Sequence, residues 1–194
     1  MLKIDQMVTG VISGMDEAYN GLLRCGKDVV LVRHVMKQEE VRVRIVRRIA
    51  KGYIGEIVEI KKASPYRIAV KCPIYERCGS CQLLHMNAKG QQEFKNRSIR
   101  TLCAKAKIGK LKAEEIVAME EPWHYRNKVH GVVARDRHGN CFTGIYENRS
   151  HRVIRVDSCL IENQKADEIM NTVTSLMKSF KMRPYNEDTG YGFL

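Results

Sequence analysis

The chain has 194 residues, room for one large domain or two small ones, and 44% of them are hydrophobic, enough to build a packed core. Its 34 Lys and Arg against 22 Asp and Glu leave a net charge of +12, which points to a polyanionic partner, nucleic acid ahead of a membrane surface. No run approaches the roughly 18 apolar residues of a membrane span, and the opening MLKIDQMVTGVISG has no apolar core behind a basic start, so the expectation is a cytoplasmic chain with reduced cysteines and no membrane partner.

Residues 1 to about 70 read as short strands. MVTGVISG, GLLRC, DVVLVRHV, EEVRVRIVRRI and GYIGEIVEI are rich in β-branched residues and partly alternate. Asn20-Gly21, Gly26-Lys27-Asp28 and Lys51-Gly52 punctuate them, and YRIAV at 66–70 reads as a further short strand. That many strands in so short a stretch suit a small closed barrel of OB type, a fold that binds nucleic acid on one face and its loops. In VRVRIVRR the strand period sets Val41, Val43 and Ile45 on one face and Arg42 and Arg44 on the other, as candidate nucleic-acid contacts or as ordinary solvated residues.

KCPIYERCGSC follows, and then a helix predicted over about Asn87–Lys107 with Phe94, Ile99, Leu102, Cys103 and Ala106 as its apolar stripe. Between Lys89 and Lys112 lie eight basic residues and one acid, Glu93, so Lys95, Arg97, Arg100 and Lys105 are candidate phosphate contacts on a basic helix. NKVHGVVARD and NCFTGIYEN then flank a turn at Arg137-His138-Gly139, with HRVIRV as a third strand. A second helix is predicted over about Gln164–Lys181 with Asn163 as N-cap, its core face made by Ile169, Val173, Leu176, Met177 and Phe180. The closing YNEDTGYGFL reads as the start of another strand. The expected class is α+β: a barrel over 1–65, a cysteine loop and basic helix over 66–108, and a central α+β region over 109–194.

Cys72, Cys78 and Cys81 are spaced C-x5-C-x2-C. In a reducing compartment such clustering suggests metal rather than disulfides. Of the other cysteines, Cys25, Cys103 and Cys141 lie in strand or helix contexts as small packing residues, whereas Cys159, in VDSCLIEN after a strand end, sits where a turn can present a thiolate. Zinc sites usually use two closely spaced cysteine pairs, and here there is one. Three thiolates on a compact loop with a remote fourth suit a [4Fe-4S] cluster, with zinc and metal-free thiols as the alternatives.

These residues resemble the bacterial 23S rRNA (uracil-5-)-methyltransferases, the RNA 5-methyluridine enzymes. The likeness rests on CPIYERCGSCQLLHMN, where Ser80 stands in place of a glycine, and on QQEFKNRSI, WHYRNKVHGVV, FTGIYENRSHRVIRVDSC and YNEDTGYGFL. It implies a TRAM-type OB-like barrel, a [4Fe-4S] cluster held by Cys72, Cys78, Cys81 and Cys159, and binding to RNA, with ribosomal RNA as the substrate class. It also implies S-adenosylmethionine as methyl donor, bound in a separate C-terminal domain where a cysteine adds to uracil C6 so that C5 can attack the methyl group.

These 194 residues offer no candidate for that catalytic domain. The DTGYG segment superficially resembles a Gly-rich cofactor turn, but MRPYNE before it is polar and broken by proline rather than an apolar strand. The expectation is therefore an RNA-binding and cluster-bearing portion, inactive alone, incomplete at its C-terminus and completed by catalytic residues elsewhere or on a separate chain. A rival reading is a stand-alone RNA-binding protein with a structural metal site. The cluster itself reads as a structural staple, with oxidation sensing as the sharper alternative.

Overall fold

The computed structural model describes residues 1–107, 114–148, 150–186 and 189–193. They form two compact units, one of Met1–Lys71 with Cys81–Ala118 and the other of Cys72–Ser80 with Met119–Leu194. The chain thus crosses between units on both sides of the cysteine loop. No described helix is long and apolar enough to cross a membrane.

The first unit is built on a closed barrel of β1 (Met7–Met15), β2 (Gly21–Cys25), β3 (Asp28–Val32), β4 (Glu40–Ile49) and β5 (Gly52–Lys62), in the order β1-β2-β3-β5-β4. Alternation places Val41, Val43 and Ile45 of β4 inside, fully enclosed with Ile12, Leu23, Val30 and Val32, while Arg42 and Arg44 point out. Each such aliphatic side chain contributes about 1.5–3 kcal/mol by leaving water. The strands pair antiparallel except β3 and β5, which run parallel with Val30 opposite Tyr53. Gly52 is required where this parallel pair begins: its φ is +138° and an added Cβ would lie 2.2 Å from the Val29 carbonyl oxygen.

The YRIAV strand does not form. The segment is tied down at single points instead: an isolated bridge joins Arg67 to Met86, and Asn87 N–H donates to the Tyr66 carbonyl. The Arg67 side chain turns into the unit to meet Glu39, so the local alternation is overruled by a buried ion pair.

Helix α1 (Ala88–Lys105) starts where the sequence places it, with the Asn87 side chain accepting the Gly90 N–H. Its apolar stripe is not a core face. Gly90 is its buried residue, closely apposed to Met86 and Tyr66, and Phe94 packs on Tyr19 with ring centroids 5.6 Å apart, while Ile99 and Leu102 are exposed. Lys110 and Lys112, counted in the basic run, lie outside the described residues.

The second unit holds a three-stranded antiparallel sheet of β6 (Val132–Arg135), β7 (Cys141–Tyr146) and β8 (Val153–Arg155), with helix α2 (Gln164–Ser179) against β7. Asn163 caps α2 by accepting the Lys165 N–H. The predicted core face of α2 is corrected. Met177 and Thr174 are its buried residues, and the Thr143 hydroxyl donates to the Met170 carbonyl, so the packed face runs through Met170, Thr174 and Met177. Ile169, Val173, Leu176 and Phe180 are exposed, Phe180 at 72%. Instead of starting a strand, residues 184–186 are joined to residues 191–193: Asn186 N–H donates to the Tyr191 carbonyl, and isolated bridges join 184 to 193 and 186 to 191. Glu187 and Asp188, within the DTGYG comparison, lie outside the described residues.

Candidate metal-ligand loop and nucleic-acid interface

Cys72–Ser80 makes a tight turn fixed to the β7–β8 connection. Tyr75 N–H reaches the Cys72 carbonyl at 3.3 Å, and Cys78 N–H reaches that of Ile74 at 2.8 Å. Cys78 bridges Glu147, and Asn148 N–H donates to the Arg77 carbonyl. Arg77 Nε donates to Glu147 at 2.8 Å and Arg152 Nε donates to its other oxygen at 2.6 Å. These guanidinium contacts, Arg77 first, hold the Glu147 carboxyl below the usual carboxylate range despite partial desolvation. Gly79 fits closely over Asn148, where an added Cβ would stand 3.2 Å from its side chain.

The thiols carry the chemistry. Cys78 is buried, and Ser80 N–H points at its sulfur from 3.4 Å. Burial pushes the Cys159 thiol up, while the N–H groups of Ile161 and Glu162 favour its thiolate. Its own N–H donates to Asp167 at 2.9 Å. Backbone N–H groups directed at sulfur are the kind of donor that stabilises a metal-bound thiolate, so Cys78 and Cys159 fit soft-metal ligation. Cys72, Cys78 and Cys159 belong to the second unit and Cys81 to the first. All four are free thiols, and among the described residues no three His, Cys, Asp or Glu side chains gather closely enough to hold one ion. Of the remaining cysteines, Cys25 packs on the barrel core, Cys103 lies in α1 and Cys141 opens β7, each partly buried.

The candidate RNA contacts lie on the first unit and are not equivalent. Arg44 is flanked by Asp5 at 3.6 Å and Glu56 at 3.0 Å, and Arg42 pairs in register with Glu59. On α1, Lys95, Arg97, Arg100 and Lys105 are all exposed, with Lys105 Nζ 3.2 Å from Glu17. At about 100° per residue, Lys95 lies about 140° around the helix from Arg100, so the four do not share one face.

The sequence reading missed the most enclosed polar group of this unit. Glu39, fully buried, accepts from Arg67 Nε and Nη2 at 2.6 Å each, from Met36 N–H at 2.8 Å and from Ser64 N–H at 3.1 Å. Burial works to raise its pKa, but Arg67 and the two amides overcome this and hold the carboxyl below its usual range. His85, buried, and His34 stand near it with ring centroids 6.1 Å apart. Burial first, with nearby positive charge including Arg67, lowers each to about 4, so both are neutral at pH 7. Only the placement of Glu39 just ahead of an apolar-alternating strand hinted that a carboxylate goes inside.

No family model matches the chain. A protein of Clostridium acetobutylicum named as an uncharacterized RNA methyltransferase is 36% identical over 179 residues, covering 90% of this chain and 38% of that protein. Proteins with the same description from Halalkalibacterium halodurans and Staphylococcus aureus are 31% identical over 178 residues and 30% identical over 187 residues, covering 90% and 96% of this chain. Among solved structures, the Pyrococcus abyssi tRNA (uracil-54, C5)-methyltransferase in complex with S-adenosyl-L-homocysteine superimposes with a TM-score of 0.69 at 21% identity, over 96% of this chain and 40% of that one, which establishes a shared fold. The chain spans about two-fifths of the length of the curated relatives it matches, 38% to 41% of each. Over that span it is similar to proteins named as RNA methyltransferases.

Proposed function

We propose that these residues are the RNA-binding and cluster-bearing portion of an S-adenosylmethionine-dependent RNA (uracil-5-)-methyltransferase that acts on ribosomal RNA in the cytoplasm. The observation that carries the reading is the match of nine-tenths or more of the chain to RNA methyltransferases, with a closed barrel directly ahead of the cysteine loop. Cys72, Cys78, Cys81 and Cys159 would hold a [4Fe-4S] cluster, with the Ser80, Ile161 and Glu162 amides supporting Cys78 and Cys159 as thiolates. S-adenosylmethionine supplies the electrophilic methyl group when bound. The task of these residues is to capture and orient RNA: exposed Arg and Lys side chains neutralise phosphates, and the rigid barrel fixes where those charges stand.

The test uses the complete protein that contains this chain. Incubated with methyl-labelled S-adenosylmethionine and unmodified ribosomal RNA, it should yield 5-methyluridine on nucleoside analysis. Label recovered in another nucleoside, or none above a no-protein control, overturns the uracil-5 reading.

A further inference from the structure

Resting on that RNA-binding reading, we infer that the phosphate-binding surface of the barrel is its end formed by the β2–β3 and β4–β5 turns, with Arg24, Lys27, Arg47, Arg48 and Lys51 as the contacts. The outward face of β4, where Arg42 and Arg44 lie beside Glu59 and Glu56, does not serve this role.

Topology brings these residues together. β3 and β5 run parallel with Val30 opposite Tyr53, so the β2–β3 turn that leads into β3 stands beside the β4–β5 turn that leads into β5. The approach is close, since the Gly52 backbone sits against the Val29 carbonyl. A strand bulge then alters the arginine pattern. The register of β4 against β5 shifts between Ile45 and Arg47. Strict alternation would turn one of two adjacent residues inward, yet Arg47 and Arg48 are both exposed. Arg24, Lys27 and Lys51 are exposed as well.

Charge separates this end from its surroundings. No acidic residue lies between Glu40 and Glu56 in the chain. The acid of the β2–β3 turn is engaged: Asp28 stands 3.6 Å from the Met1 ammonium. Among the described residues none of the five cations takes part in an ion pair. On the outward β4–β5 face, by contrast, a phosphate approaching Arg44 or Arg42 meets Glu56 and Glu59 as well. Repulsion from those carboxylates offsets much of the attraction, whereas at the barrel end the turn carboxylate, Asp28, faces the Met1 ammonium and the five cations outnumber it. Tyr53, opposite Arg48, is enclosed at 3% exposure and offers no ring face for a base. The surface therefore reads the RNA backbone, not its sequence.

The chain is titrated against a fluorescent single-stranded RNA of about 16 nucleotides, the upper site size of an OB-type barrel, across a salt series. The variant Arg47→Gln/Arg48→Gln/Lys51→Gln is compared with Arg44→Gln/Glu56→Gln, which leaves net charge unchanged, and circular dichroism verifies that both fold. The expected result is a log–log salt slope lower by about 2 in magnitude for the triple variant, near 0.7 for each phosphate that is no longer neutralised, and an unchanged slope for the paired control. A wild-type slope in the triple variant overturns the inference while leaving RNA binding intact. Failure of the wild-type chain to bind RNA, including the case in which it binds only phosphatidylserine vesicles, overturns the RNA-binding reading and this inference with it.

Discussion

Glu39 has no route to water, and its four hydrogen bonds come from Arg67 and the Met36 and Ser64 amides. A buried pair of this kind adds little over an apolar substitute, but removal of one member strands the other. Arg67→Met should therefore lower the unfolding free energy of the barrel unit by about 3–5 kcal/mol in urea titrations, whereas exposed Arg42→Met should shift it by less than about 0.5 kcal/mol. The neighbouring histidines give this region an acid response of definite sign. His85 is lowered to about 4 from its ordinary 6.5, so between those values the unfolded chain binds a proton that the folded chain refuses. Stability is then full above about pH 6.5 and falls as pH drops toward 4, by about 2 kcal/mol for His85 between pH 7 and 5. Glu39, whose pKa is also depressed in the folded state, loses its contribution in the same direction at lower pH still. His85→Gln should flatten the stability profile between pH 7 and 5, and an unchanged profile would show that His85 is not the responsible group.

The elements themselves were largely legible in the sequence, because their signals are local. The five barrel strands, both helices and the Asn163 N-cap follow from alternation, from Gly-containing turns and from helical periodicity. Two hairpin turns even share one device. In Asp16–Asn20 and Asp136–Asn140 the aspartate carboxylate accepts the N–H of the Asn four residues on, at 2.7 and 2.8 Å. What helical periodicity could not reveal is which side of a helix is packed. The α2 pattern of Ile169, Val173, Leu176 and Phe180 is a sound amphipathic stripe, but Thr143 of β7 and Gly131 receive Met170, and Thr174 and Met177 are buried instead. The YRIAV segment failed similarly, its β-propensity outweighed by Arg67's long-range partner. The corrected face is open to direct measurement: Met177→Ala should cost about 2–5 kcal/mol, and Leu176→Ala, at 49% exposure, less than about 1 kcal/mol. Equal costs at the two positions would restore the stripe as the packed face.

At the scale of the whole molecule, the four candidate ligands are divided by the fold, Cys81 in the first compact unit and Cys72, Cys78 and Cys159 in the second. Sequence spacing singles out the loop of three but says nothing of which unit each thiol joins, since that depends on the crossing of the chain on either side of Cys72–Ser80. A group bound by these thiols would add its binding free energy to folding free energy, the structural role of a metal site. Purified without oxygen, the chain should carry about four irons and four acid-labile sulfides and absorb broadly near 400 nm. Cys159→Ser should lower the iron content sharply, whereas Cys25→Ser, in a thiol packed on the barrel core, should leave it intact. Removal of the iron should also lower the urea midpoint of the unit that holds Cys72, Cys78 and Cys159. One tightly bound zinc without sulfide would replace the cluster by a structural zinc site, and iron retained in full by Cys159→Ser would remove Cys159 from the ligand set.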